Sequence, residues 1–183
     1  MRSTPDRGAR RIVAAQNGAL YYTVDPFQLV LEDQAMSGLA ALLAGRTAPG
    51  VYQWQNASDV DDVRHTVEHA EWRFVHLDGW TIEDKASLLK AMAAAFECPD
   101  HVGDNFDALS DCLGDVAAGD HNGVVLVWDG WSPVARTDER SFSVALSVLS
   151  GRVHADRGGP FVVLLRGEGP SVDVPQLPIA GES

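Results

Sequence analysis

The stretch CPDHVGDNFDALSDCLGDV, residues 98–116, carries Asp100, Asp104, Asp107, Asp111 and Asp115 three or four positions apart, with no lysine or arginine among them. At about 100° of rotation per residue, such spacing stacks side chains on one helical face. With Asp104 at zero, Asp107, Asp111 and Asp115 share an arc of roughly 80°, while Phe106, Leu109, Cys112, Leu113 and Val116 lie between roughly 80° and 200°. The segment predicts one helix with a buried apolar face and a ridge of negative charge. Asp104 is placed to cap its start, and Asp107 in the first turn gains from the helix dipole. Asp111 in the middle has no local compensation, and Asp115 near the carboxyl end is disfavoured by the dipole. Like charges at i,i+4 cost about 0.2–0.5 kcal/mol per pair. A helix that keeps this repulsion is suited to presenting charge to a positive partner.

Working outward, Phe74-Val75-His76-Leu77 predicts a strand and Asp78-Gly79 a turn. Thr81 or Asp84 then opens a helix with Leu88, Leu89, Met92, Ala93 and Phe96 on its inner face, ended by Pro99. Beyond the acidic helix, Val124 to Trp128 is nearly continuous in apolar residues, as in a buried parallel strand. A loop from Asp129 to Pro133 leads to a helix over Asp138–Val153, with Phe142, Ala145, Leu146 and Leu149 at core spacing, and Phe161 to Leu165 is the last strand. The order β-α-α-β-α-β implies an α/β fold, a small parallel sheet covered by helices. Trp128 and Trp131 are expected in its core.

Upstream, Ile12–Ala15 and Ala19–Val24 flank Gln16-Asn17-Gly18, a hairpin signal. Phe27 to Leu43 suits either a strand plus helix or one helix, Val51–Trp54 alternates like a short strand, and Ser58 or Asp59 can cap a helix carrying Val60, Val63, Val67 and Ala70. Residues 1–72 form an N-terminal extension of unassigned role, 73–167 the main domain, and the Gly- and Pro-rich 168–183 a flexible tail.

The 183 residues are 45% apolar, which excludes wholesale disorder, and carry a formal charge of −12. Such a charge repels phosphates, so direct nucleic-acid binding is not expected, whereas a basic protein would be steered toward the chain. Cys98 and Cys112 form no C-x-x-C pair and sit on apolar-facing positions, so reduced, buried thiols are expected. The apolar stretch after the first arginines is too short for a signal-peptide core, and no run approaches the ~20 apolar residues of a membrane span. Those features place the chain in the cytoplasm, away from membranes. The acids match no calcium-loop register, and no P-loop, G-x-G-x-x-G or G-x-S-x-G occurs. No metal, cofactor or enzymatic activity is expected.

The run Pro99-Asp100-His101-Val102-Gly103-Asp104-Asn105-Phe106-Asp107-Ala108-Leu109-Ser110-Asp111-Cys112-Leu113 resembles the barstar family of intracellular ribonuclease inhibitors. That family's pattern is Pro, an acid, an aromatic, Gly, an acid, Asn, an apolar residue, Asp-Ala-Leu, then Asp-Cys-Leu. The similarity extends over residues 73–167, with Leu77-Asp78-Gly79 and the two apolar strands in matching places. It implies a three-stranded parallel sheet packed by helices, with the acidic helix and the loop before it plugging the active site of a basic ribonuclease. Asp111 matches the carboxylate that mimics a substrate phosphate, and Asp107 its acidic neighbour. Gly103 and Asn105 match residues of the binding loop and helix start, and His101 stands where the family has a contacting tyrosine. Ser110 replaces a frequent tryptophan, and Gly151 falls near the position of an acid on the later helix. The expected partner-binding set is His101, Gly103, Asn105, Asp107, Ser110, Asp111 and Asp115. The partner expected is a basic ribonuclease or related toxin, and the alternative is an interaction or immunity module for a different basic protein.

Overall fold

The computed structural model describes residues 11–16, 19–23, 36–99, 102 and 105–178. In chain order the elements are β1 (Arg11–Gln16), β2 (Ala19–Thr23), a helix α1 over residues 36–43, β3 (Val51–Trp54), α2 (Val60–His69), β4 (Arg73–Asp78), α3 (Lys85–Ala95), α4 (Phe106–Asp115), β5 (Val124–Asp129), α5 (Ser132–Thr137), α6 (Glu139–Val153) and β6 (Phe161–Arg166). β1 and β2 pair antiparallel, as the hairpin signal predicts, while the Asn17-Gly18 turn lies outside the described residues. The remaining strands form one parallel sheet in the order β3-β6-β5-β4.

This sheet corrects the expected three strands to four. Val51–Trp54 pairs along β6, with Val51 opposite Val163 and Trp54 opposite Arg166. The pairing joins residues more than a hundred positions apart, which no local pattern encodes. Nor is the extension a separate unit from residue 51 onward, because β3 belongs to the same sheet.

Alternate residues of a strand face opposite sides. On one side Val75, Leu77, Leu126, Trp128, Val163 and Leu165 pack with the inner residues of α3, α4, α5 and α6. Trp128 and Trp131 are fully buried there, each with its ring within 6 Å of Phe142, so both are core aromatics as expected. On the other side Val125, Val127, Val162 and Leu164 pack with Leu39 and Leu42 of α1, Trp54, Val63 and Val67 of α2, Trp72, and Leu177. The chain after β6 is not loose over its described length. Gln53 N–H donates to Pro175 O and Leu177 N–H to Gln53 O, both at 2.8 Å, and Gln53 Nε2 donates to Val174 O at 2.9 Å. The free edge of β3 is thereby covered. Residues 179–183 lie outside the described set.

Helix ends follow the sequence in part. Asp84 caps α3 in a reciprocal box with Ser87, and Asp138 caps α6. Asp59 stands at the start of α2 without a side-chain capping bond, α3 ends at Ala95 before Pro99, and the short α5 was not foreseen.

Where β5 and β6 emerge from the core, opposite charges meet in register, Asp129 against Arg166. Both Arg166 Nε and Nη2 donate to the Asp129 carboxylate, the latter at 2.8 Å, and His76 Nε2 lies 2.7 Å from its Oδ2. Arg166 Nη1 also donates to Ser58 O at 2.8 Å, tying the β3–α2 connection to the sheet. Burial alone would raise the Asp129 pKa, but the hydrogen bonds and charges of His76 and Arg166 outweigh it and hold the carboxyl below its ordinary value.

Asp129→Ala strands the Arg166 guanidinium and is expected to cost about 3–5 kcal/mol at pH 7, measured by urea unfolding. Because the folded pKa is depressed, this contribution is present above the unfolded value of about 3.9 and is lost as pH falls through the folded one. The difference between variant and wild type should therefore shrink in acid. A further expectation concerns the segment 73–167 expressed alone: with Val125, Val127, Val162 and Leu164 uncovered, it should aggregate on size-exclusion chromatography, whereas the full chain should not.

Candidate partner-binding site

α4 is held from its inner face and from both ends. Leu109 and Leu113 are fully buried, and Phe106 and Cys112 are half-buried against the same core. The cap is Asn105, whose side-chain oxygen accepts from Ala108 N–H at 2.8 Å. That corrects the expectation that Asp104 caps the helix, and it shows that Asn105 has a structural duty. The Lys85 ammonium lies 5.6 Å from the Phe106 ring centre, a cation–π contact between the starts of α3 and α4.

At the other end, Val116 O accepts from Arg152 Nη2 at 2.8 Å. Arg152 is 3% exposed, stacks over Phe161 at 4.8 Å and donates through Nη1 to Gly159 O at 3.3 Å. A buried cation at the carboxyl end of α4 is favoured by the helix dipole. Burial, and then the charge of Arg157, lower the pKa of Arg152. Gly158 has φ +82°, and a Cβ there would sit 2.5 Å from Arg152 Nη2 and 2.8 Å from Val116 O. Glycine at this position is thus required both by the backbone and by the arginine cap.

The outer face of α4 carries Asp107, Ser110, Asp111 and Asp115, all exposed. No described cation forms an ion pair with any of these aspartates. The structure thus brings four of the expected residues onto one exposed face and puts Asn105 at its start. His101 and Gly103 lie outside the described residues. Gly151 is exposed on α6 with open space where a side chain would be, so no acid is supplied there.

Two features were missed or misread in the sequence. Cys98 and Cys112 are not free thiols: they form a disulfide with Cα atoms 6.1 Å apart. α3 and α4 lie side by side, so a residue just past one helix meets the middle of the other, which spacing in sequence does not announce. The His76–Asp129–Arg166 cluster was also missed, although its signal was present, since Asp129 and Arg166 each close an otherwise wholly apolar strand. Elsewhere, a cleft of about 820 Å³ between α6 and residues 171–175 is lined by Ser143, Ser147, Ser150, His154, Asp173 and Val174, with no residue of α4 in its walls. Among the described residues, no three His, Cys, Asp or Glu side chains are grouped to hold a metal ion, and no helix is long and apolar enough to cross a membrane.

A family model described as Barstar (barnase inhibitor) matches residues 72–166, just over half of the chain. The chain belongs to the barstar family. The matched region begins one residue before β4 and ends with β6, so β3, α1 and α2 are additions to the barstar segment. No curated protein matches the chain. Among solved structures, the ORC2 protein of Aeropyrum pernix is similar with a TM-score of 0.50 and 13% identity, over 80% of this chain and 42% of that one. At that identity the likeness concerns the fold alone, and this chain spans less than half the length of that protein.

The two faces of α4 predict opposite stability effects. Leu109→Ala leaves a core cavity and is expected to cost about 2–5 kcal/mol. Asp111→Ala opens none and relieves repulsion with Asp107 and Asp115, roughly 0.2–0.5 kcal/mol per pair, so its Tm should be unchanged or raised. Thermal unfolding of both variants, followed by circular dichroism, checks the pair of outcomes.

Proposed function

We propose that this barstar-family protein inhibits a basic ribonuclease by seating α4, with the chain that leads into it, in the enzyme's active site. The observation that carries this reading is the outer face of α4. Asp107 and Asp111 are exposed, lack any described counter-charge and stand on a helix fixed from within by Leu109 and Leu113. A site built to bind phosphodiesters presents cations, and carboxylates at helical spacing can occupy its phosphate positions. Arginine–carboxylate hydrogen bonds are strong and geometrically selective. Close charge pairs across such an interface are worth several kcal/mol in the barnase–barstar complex, where that magnitude was measured, and it serves here as a reference value.

In this reading Asp111 replaces a substrate phosphate, Asp107 supports it, and Ser110 and Asp115 contact the rim. His101 and Gly103 contribute from the preceding chain, and Asn105 contributes by capping the helix. The protein acts in the cytoplasm by binding alone, without catalysis, cofactor or direct contact with nucleic acid. A second reading, a different basic protein as target, is favoured by Ser110 and Gly151, because both remove contacts that the family resemblance implies.

Barnase, the enzyme named in the family's description, is the first target to test. Asp111→Ala is expected to weaken binding roughly thirtyfold or more, and Asp107→Ala to act in the same direction. Association should slow as salt rises, since screening shortens charge steering to about 8 Å at physiological ionic strength. Stopped-flow and calorimetric titrations give both quantities. No binding to barnase, or binding indifferent to Asp111 and to salt, favours the second reading.

A further inference from the structure

The disulfide between Cys98 and Cys112 joins the chain just past α3 to the middle of α4. Residues 99–111, the segment it closes, contain His101, Gly103, Asn105, Asp107, Ser110 and Asp111, and Asp111 directly precedes Cys112. These are the only cysteines of the chain, and both are half-buried. α4 has ten residues, a length at which a helix depends on its surroundings for order. Its fully buried side chains are Leu109 and Leu113. The cross-link closes a short loop, so opening it returns conformational freedom chiefly to the segment that carries the acids.

We propose that Cys98–Cys112 is a redox latch that sets the order of α4, and through it the affinity of the acidic face; this rests on that face being the binding surface. The reactant is a thiol–disulfide couple. A reductant thiolate attacks one sulfur and expels the other, which takes up a proton, leaving a mixed disulfide. A second reductant thiol then displaces the remaining protein sulfur, which is protonated in turn. The protein gains two electrons and two protons, and two reductant thiols become one disulfide. Oxidised glutathione reverses both steps. When the latch is open, a partner must also order α4 on binding, so apparent affinity falls by the fraction of protein already in the competent state.

The full chain, equilibrated at graded ratios of reduced to oxidised glutathione, provides the test. Alkylation and mass spectrometry count the thiols, while hydrogen exchange reads the amides of α4 and of β5. As the pair becomes reduced, the amides from Leu109 to Val116 should exchange at least tenfold faster, with those of β5 unchanged. The double variant Cys98→Ser, Cys112→Ser should match the reduced protein in every buffer, and the reduced protein should bind barnase at least tenfold more weakly than the oxidised one. The latch is overturned if α4 exchange ignores redox state, if the cysteines stay reduced in oxidised glutathione, or if barnase binds both forms equally. Should barnase bind neither form while α4 exchange still follows the thiols, the ribonuclease reading fails and control of α4 order stands. Should Asp111→Ala weaken barnase binding while reduction leaves α4 exchange unchanged, the latch fails and the ribonuclease reading stands.

Discussion

β5 and β6 have no polar face until their last residues, and the rest of the fold answers to that constraint. From Val124 to Trp128 and from Phe161 to Leu165 every side chain is fully buried. Two such strands side by side need cover above and below, since uncovered apolar surface of this extent is unfavourable in water. α3, α4, α5 and α6 cover one side, and residues 36–72 cover the other. The segment ahead of the barstar region is therefore a second layer of the same core. β3 extends the sheet beyond β6, and the chain up to Leu177 then lies along the outer edge of β3.

Charge enters this core at two places, each with its partner chosen by geometry. At the carboxyl ends of the strands, Asp129 and Arg166 meet as a two-point carboxylate–guanidinium pair, with His76 completing the carboxylate's contacts. Behind α4, Arg152 has no carboxylate partner among the described residues: Val116 O and Gly159 O accept from its Nη2 and Nη1, the face of Phe161 lies against its guanidinium, and its buried Nε has no hydrogen-bond partner there. Its position matters for α4, because a cation at that end stabilises a helix whose outer face carries three aspartates. The acids of α4 can thus remain without ion-pair partners among the described residues while the helix keeps its place. Rigid, unpaired charge of this kind favours recognition, since little ordering is left to do on binding.

How legible the candidate site was depended on how local each feature is. Over the described residues the wheel of α4 agrees with the structure: Leu109, Leu113 and Val116 are buried, Phe106 and Cys112 half-buried, and Asp107, Asp111 and Asp115 exposed. One position along, the cap was wrong, because Asn105 and Asp104 are equally good caps on paper and only the path of the chain into the helix chooses between them. The disulfide was not legible either. Cysteines 14 residues apart carry no signature until two helices are packed side by side.

The sequence by itself determined what depends on neighbours within a few residues. That includes the amphipathic α4, the apolar strands β4, β5 and β6, the helices α3 and α6, and the order of elements that implies a parallel sheet. It also carried the barstar motif, because the motif is a contiguous run. Tertiary structure alone decided the fourth strand, the second layer made by residues 36–72, the docking of the chain along β3, and the meeting of His76, Asp129 and Arg166. Each of these joins residues distant in sequence, where helical and strand periodicities say which face is apolar but not which other face will cover it.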